Sequence, residues 1–136
     1  MPAWIEFHDS TLLALNVVGT DVELLLDAYV HHWQMADGTW RGTGWAQPVR
    51  ITVRAVVGEP AAVAAPAEIA DGRMRLGAVD HDLVRLPLAQ NDTVHLRLEL
   101  VGGSLDIRGS GVLVETLGEA RYVEDLPWEL PPLDAG

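Results

Sequence analysis

The feature that most constrains this chain is the two-residue alternation that begins at Val22. One parity reads Val22, Leu24, Leu26, Ala28, Val30 and the other Glu23, Leu25, Asp27, Tyr29, His31, Trp33. Successive side chains of a strand point to opposite faces, so this window predicts a long strand with one apolar and one mixed face. The helical spacing i, i+3, i+4, i+7 fits it less well. The alternation returns at Val49, Ile51, Val53, Ala55, Val57 around Arg50, Thr52, Arg54, and at Val94, Leu96, Leu98, Leu100 around His95, Arg97, Glu99. Leu24, Leu26, Ala28 and Val30 are therefore expected to point into a core.

Shorter strand signals fill the gaps. Trp4 to His8 and Thr11 to Val18 read as one strand or two around Asp9-Ser10, with Gly19-Thr20-Asp21 as a hairpin turn. Leu83 to Leu86 stops at Pro87, Thr93 to Leu100 follows Gln90-Asn91-Asp92, and Gly102-Gly103 leads into Leu105 to Arg108. Gly109-Ser110-Gly111 reads as a bend before Val112 to Leu117, and Ala120 to Val123 ends the series. Glu59 to Ala70 is alanine-rich but interrupted by Pro60 and Pro66, which predicts a connecting loop. Eight or nine strands at this spacing predict an all-β fold: an antiparallel sandwich, jelly-roll-like or barrel-like, with helix content below about 15%. With 136 residues, positions 1–136 form a single domain that buries about 68% of its unfolded surface. The Pro-rich tail, 126–136, is expected to be extended, its first half packing through Trp128 and Leu130.

Composition removes whole classes of chemistry. Cysteine is absent, which excludes disulfides, thiolate metal sites and a cysteine nucleophile. All nine basic residues are arginine, so Schiff-base and P-loop lysine chemistry are excluded, and this bias points to a GC-rich bacterial genome. A net charge of −11 disfavours nucleic acid and anionic membranes as partners. The opening Met1-Pro2-Ala3-Trp4-Ile5-Glu6 has neither a basic nor an apolar leader region, and the apolar stretch Val53 to Ala67 is broken by charges, Gly58 and prolines. A cytoplasmic protein with no cofactor is expected.

Two surfaces qualify as binding sites. Asp27, Tyr29, His31 and Trp33 would stand in a row on the mixed face, beside Arg50, Thr52, Arg54 or His95, Arg97, Glu99 if neighbouring strands show the same side. Such a row fits a polar ligand; the alternative is a solvated face laced by cross-strand ion pairs. The following connection, Trp33 to Trp45, carries three of the five tryptophans with Gly38, Gly42 and Gly44. Its Trp40, Arg41 and Trp45 would offer flat apolar rings and hydrogen bonds to a partner; the alternative is that the rings cap one end of the core. At least one of Trp40 and Trp45 is expected to be exposed and to line a groove with Tyr29 or His31.

His8-Asp9, His31-His32 and Asp80-His81-Asp82 supply metal-ligand types, though without a familiar spacing, and no ligand set is assigned. Neighbours such as His31 and His32 point to opposite faces unless a bulge intervenes. His8-Asp9-Ser10 contains the residue types of a hydrolase triad, but contiguous residues cannot form that relay.

The opening Phe7-His8-Asp9-Ser10-Thr11-Leu12 resembles small bacterial domains of unknown function that begin with His-Asp-small-x-Leu. Several of those look like partners of neighbouring proteins, immunity-type proteins among them. The resemblance covers six positions, implies a small β-rich domain and transfers no catalytic residue. Asp9 and Ser10 are expected to accept backbone N–H bonds near the start of the first strand. The leading functional expectation is a non-catalytic binding or assembly module for a protein or small polar ligand. A metal-dependent enzyme and a structural homo-oligomer are the alternatives.

Overall fold

The computed structural model describes residues 3–126, so the expectations for Trp128 and Leu130 lie outside the described residues. The described residues form eleven strands, in chain order: β1 (Ala3–Val18), β2 (Asp21–Ala36), β3 (Thr39–Val53), β4 (Ala67–Leu76), β5 (Val79–His81), β6 (Leu83–Arg85), β7 (Leu88–Gln90), β8 (Val94–Leu100), β9 (Gly103–Gly109), β10 (Val112–Thr116) and β11 (Arg121–Asp125). Every pairing is antiparallel, in the order β7-β10-β3-β2-β1-β4-β8-β9, with β11 also beside β3, β5 beside β4 and β6 beside β1. The described residues contain no helix, and none therefore that could cross a membrane.

The sheet folds over on itself. The start of β4 pairs with β1 at Thr11 and Leu12, and the rest of it pairs with β8. Two facing layers result, and the apolar parity of each fills the space between them. Leu24, Leu26, Ala28 and Val30 are buried from one side, Met74, Leu96, Leu98 and Ile107 from the other. The chain passes from β9 through Gly109–Gly111 into β10, and backbone bonds such as Ser110 N–H to Arg54 O bring these ends together. The ring does not close into a barrel.

Two segments differ from the sequence expectation. The stretch Trp33 to Trp45 is not a connecting loop but the end of the β2–β3 hairpin, which stays in register from Val22↔Val53 to Ala36↔Thr39. Its turn is Asp37-Gly38, with φ of 52° and 76°. Both residues are left-handed, the geometry of the tight turn that matches strand twist. The expected loop Glu59 to Ala70 gives way to β4 at Ala67. A register shift between Ile69 and Asp71 breaks the alternation there, which hides this strand from period-two reading. At the other end, β3 stops at Val53 rather than at Val57, and Ala55 turns to φ 51°.

Candidate functional site

The outer face of β1–β2–β3 carries the residues of interest, and a bulge in β1 organises them. Glu6 pairs with Tyr29 and Thr11 with Asp27, so Phe7 to Ser10 stand opposite Ala28 alone. Phe7 turns into the core and Ser10 is buried, while His8 and Asp9 are thrown out to solvent. Asp9 takes the left-handed conformation, φ 74°, that Asp tolerates better than most side chains. Ser10 holds the bulge closed: its hydroxyl donates to Glu6 O at 2.6 Å and accepts the Tyr29 N–H at 2.8 Å. The Asp9 carboxylate instead lies 3.3 Å from the His8 ring.

Around this bulge lies a polar cluster. His31, with a side chain 3% exposed, places Nε2 2.7 Å from Glu6 Oε2. The Tyr29 and His31 rings meet edge to face at a centroid distance of 5.3 Å. Gly44 on β3 leaves the space that the Tyr29 hydroxyl occupies, where any Cβ would collide with it. Burial and then the Glu124 carboxylate, to which the hydroxyl is hydrogen-bonded, push the Tyr29 phenol up to about 12; Glu6 and Asp9 add to this. One step along the face, Arg121 grips both Asp27 oxygens at 3.2 Å.

Toward the hairpin end the same face is closed by apolar groups. Trp4, Trp33 and Leu126 form a second small core, with Trp40 and Leu83 packed against it. Gly42 makes room for the Trp33 ring, since a Cβ there would lie 2.7 Å from it. The Arg85 guanidinium covers Trp4 at 5.9 Å from the ring centroid, and the Leu126 N–H bonds Gly42 O.

The row Asp27, Tyr29, His31, Trp33 therefore exists in the predicted parity, but it is not an open binding face. His31 and Trp33 are buried, and Asp27 is held by Arg121. Trp40 and Trp45 are both half-buried, and only Arg41 of the expected hairpin contacts is exposed. Trp45 pairs with Val30 and so belongs to the opposite face from Tyr29 and His31. There it packs on His32 and Tyr122, both at centroid distances of 5.5 Å, and donates to Thr43 Oγ1. Burial lowers the pKa of His32. Trp45 therefore cannot share a groove with Tyr29 or His31, whereas Trp40, paired with Met35, lies on their face and packs against the small Trp4–Trp33 core. Arg50 and Thr52 do share the outer face of β2, whereas His95, Arg97 and Glu99 lie on the outer side of the other layer.

Two features were not singled out in the sequence. One is Glu6, brought beside His8 and Asp9 by the bulge. The other is an apolar cleft of about 850 Å³ between the β1–β2 tip and the 55–66 connection, lined among others by Leu15, Val17, Val56, Ala62 and Val63. Val17, 61% exposed, and exposed Leu13 belong to its lining. Comparison with protein-family models, with curated proteins and with solved structures returns no match to this chain.

Proposed function

We propose that this chain is a non-catalytic binding module that captures an extended apolar segment of a partner protein, and that it works in the cytoplasm of a bacterium. The observation that carries this reading is the coincidence of the apolar cleft with a bare strand edge. Beyond Leu12, β1 keeps β2 on one side, and no strand of the described residues pairs with Ala14 to Val18 on the other. Unpaired backbone groups beside apolar pockets are what a partner segment needs in order to add as a further strand. Exposed apolar residues gathered around one cleft mark an interaction surface rather than ordinary surface scatter. Asp21 and Glu59 in its lining, on a chain of net charge −11, favour a segment flanked by basic residues.

The reading keeps the class expected from the sequence and moves the surface away from the tryptophans, whose rings are largely used internally. The test is selection of linear peptides from a displayed library on the purified protein. Selected peptides should be apolar with basic flanks, should shift the amide resonances of Ala14 to Val18 and Val56 to Val63, and should lose binding in Val17→Asp and Ala62→Asp. Failure to select any binder overturns the proposal. So do binders that ignore those changes and respond to Arg41→Ala or Trp45→Ala. A dimer in sedimentation that Val17→Asp disperses would make the occupant a second copy, and the homo-oligomer would replace this reading.

A further inference from the structure

We propose that Glu6, His8 and Asp9 form a binding site for a divalent transition-metal cation of the zinc type. Glu6 Oε1, His8 Nδ1 and Asp9 Oδ2 converge: His8 Nδ1 is 4.0 Å from Glu6 Oε1 and 3.3 Å from Asp9 Oδ2, and ligand atoms of all three residues lie within 4.8 Å of one another. A cation with bonds of about 2.0–2.2 Å holds its ligands about 3–4 Å apart, so the three close on one ion with small side-chain rotations. One imidazole with two carboxylates, and no sulfur, suits a borderline metal such as Zn²⁺ better than Mg²⁺ or Ca²⁺, which prefer all-oxygen shells.

Adjacent strand residues ordinarily diverge, which would keep His8 and Asp9 apart. Here the bulge turns both outward, and the buried Ser10 bonds fix its shape. The stronger pointer is His31, which does not belong to the triad. It is a buried imidazole on the same face of the sheet, 2.7 Å from Glu6 Oε2, which fixes the carboxylate and leaves Oε1 toward His8. Ligating carboxylates are oriented by such outer hydrogen bonds. The charge balance agrees. The ion pairs of Glu6 and Asp9 among the described residues are with imidazoles, not guanidinium groups. A polar cleft of about 280 Å³, lined by His8, Asp9, Ser10 and Glu68, opens beside the triad and gives a hydrated ion access.

The experiment is calorimetric titration of tag-free, full-length protein with Zn²⁺, and in parallel with Mg²⁺. The wild type should take up one equivalent of Zn²⁺ and should bind Mg²⁺ at least tenfold more weakly. His8→Ala and Asp9→Asn, both at exposed positions where the fold tolerates the change, should each weaken Zn²⁺ binding at least tenfold. His81→Ala, outside the site, should leave it unchanged. Mn²⁺ added to the wild type should broaden amide resonances around residues 6–10 first, which reads the site without any substitution. Absence of stoichiometric Zn²⁺ uptake overturns the proposal. So does uptake that survives both substitutions, or Mn²⁺ broadening centred elsewhere.

Discussion

Ser10 bridges the bulge of β1 to β2: its Oγ accepts the Tyr29 N–H at 2.8 Å and donates to Glu6 O at 2.6 Å. A serine buried to this degree stands where a regular ladder would supply backbone bonds. Ser10→Ala removes both interactions and leaves a buried N–H without its acceptor, a loss of about 1–3 kcal/mol. Urea denaturation should show it, and faster amide exchange at Tyr29 should localise it.

Leu24, Leu26 and Leu25 test the two faces of β2 within one turn of the pleat. Leu26 is fully buried between the layers, while Leu25 lies half-buried on the outer face beside Arg50. Leu26→Ala should cost about 2–5 kcal/mol, and Leu25→Ala less than half of that. Equal losses in chemical denaturation would mean the outer face is as enclosed as the core.

The parity of β2 was legible because burial on one side imposes a period of two, and a single-residue slip would expose all of Leu24, Leu26 and Val30. The hairpin Trp33 to Trp45 was legible in principle from Asp37-Gly38, yet glycines and tryptophans in quick succession resemble a functional loop. Those glycines serve packing instead: Gly42 and Gly44 are the floor under Trp33 and Tyr29. What one sequence window cannot express is the neighbour across the fold. That Asp27 belongs to Arg121, and His31 to Glu6, depends on pairings between segments far apart in the chain. The Glu6–His8–Asp9 convergence depends on a bulge that the alternation marks only as an interruption.

Tyr29 supplies a pH signature. Its phenol is raised from 10.0 to about 12 by burial and by Glu124 ahead of the other carboxylates. Below pH 10 folded and unfolded chains both keep the proton, so the group is neutral in the balance. Between about pH 10 and 12 only the folded chain keeps it, so stability falls with rising pH across that window. Ultraviolet titration should show a late tyrosinate step that disappears in Tyr29→Phe, and the alkaline loss of stability should become shallower in the same variant.

Trp33 decides whether the tryptophans of the hairpin belong to the fold or to a partner. Its side chain is 1% exposed, packed with Trp4 and Leu126 over the Cα of Gly42, and its indole N–H has no hydrogen-bond partner among the described residues. Truncation empties that small core, so Trp33→Ala should cost about 3–5 kcal/mol, the range for large aromatic deletions. Gly42→Ala attacks the same contact from the other side by driving a methyl into the ring, at a cost of about 1–3 kcal/mol. Trp33→Phe gives up area but also removes the unsatisfied N–H, two effects of opposite sign, and should lose less than either of those changes. Thermal and urea denaturation of the three variants, ranked in that order, checks the assignment. A Trp33→Ala protein with wild-type stability would instead return Trp33 to the surface as a contact residue.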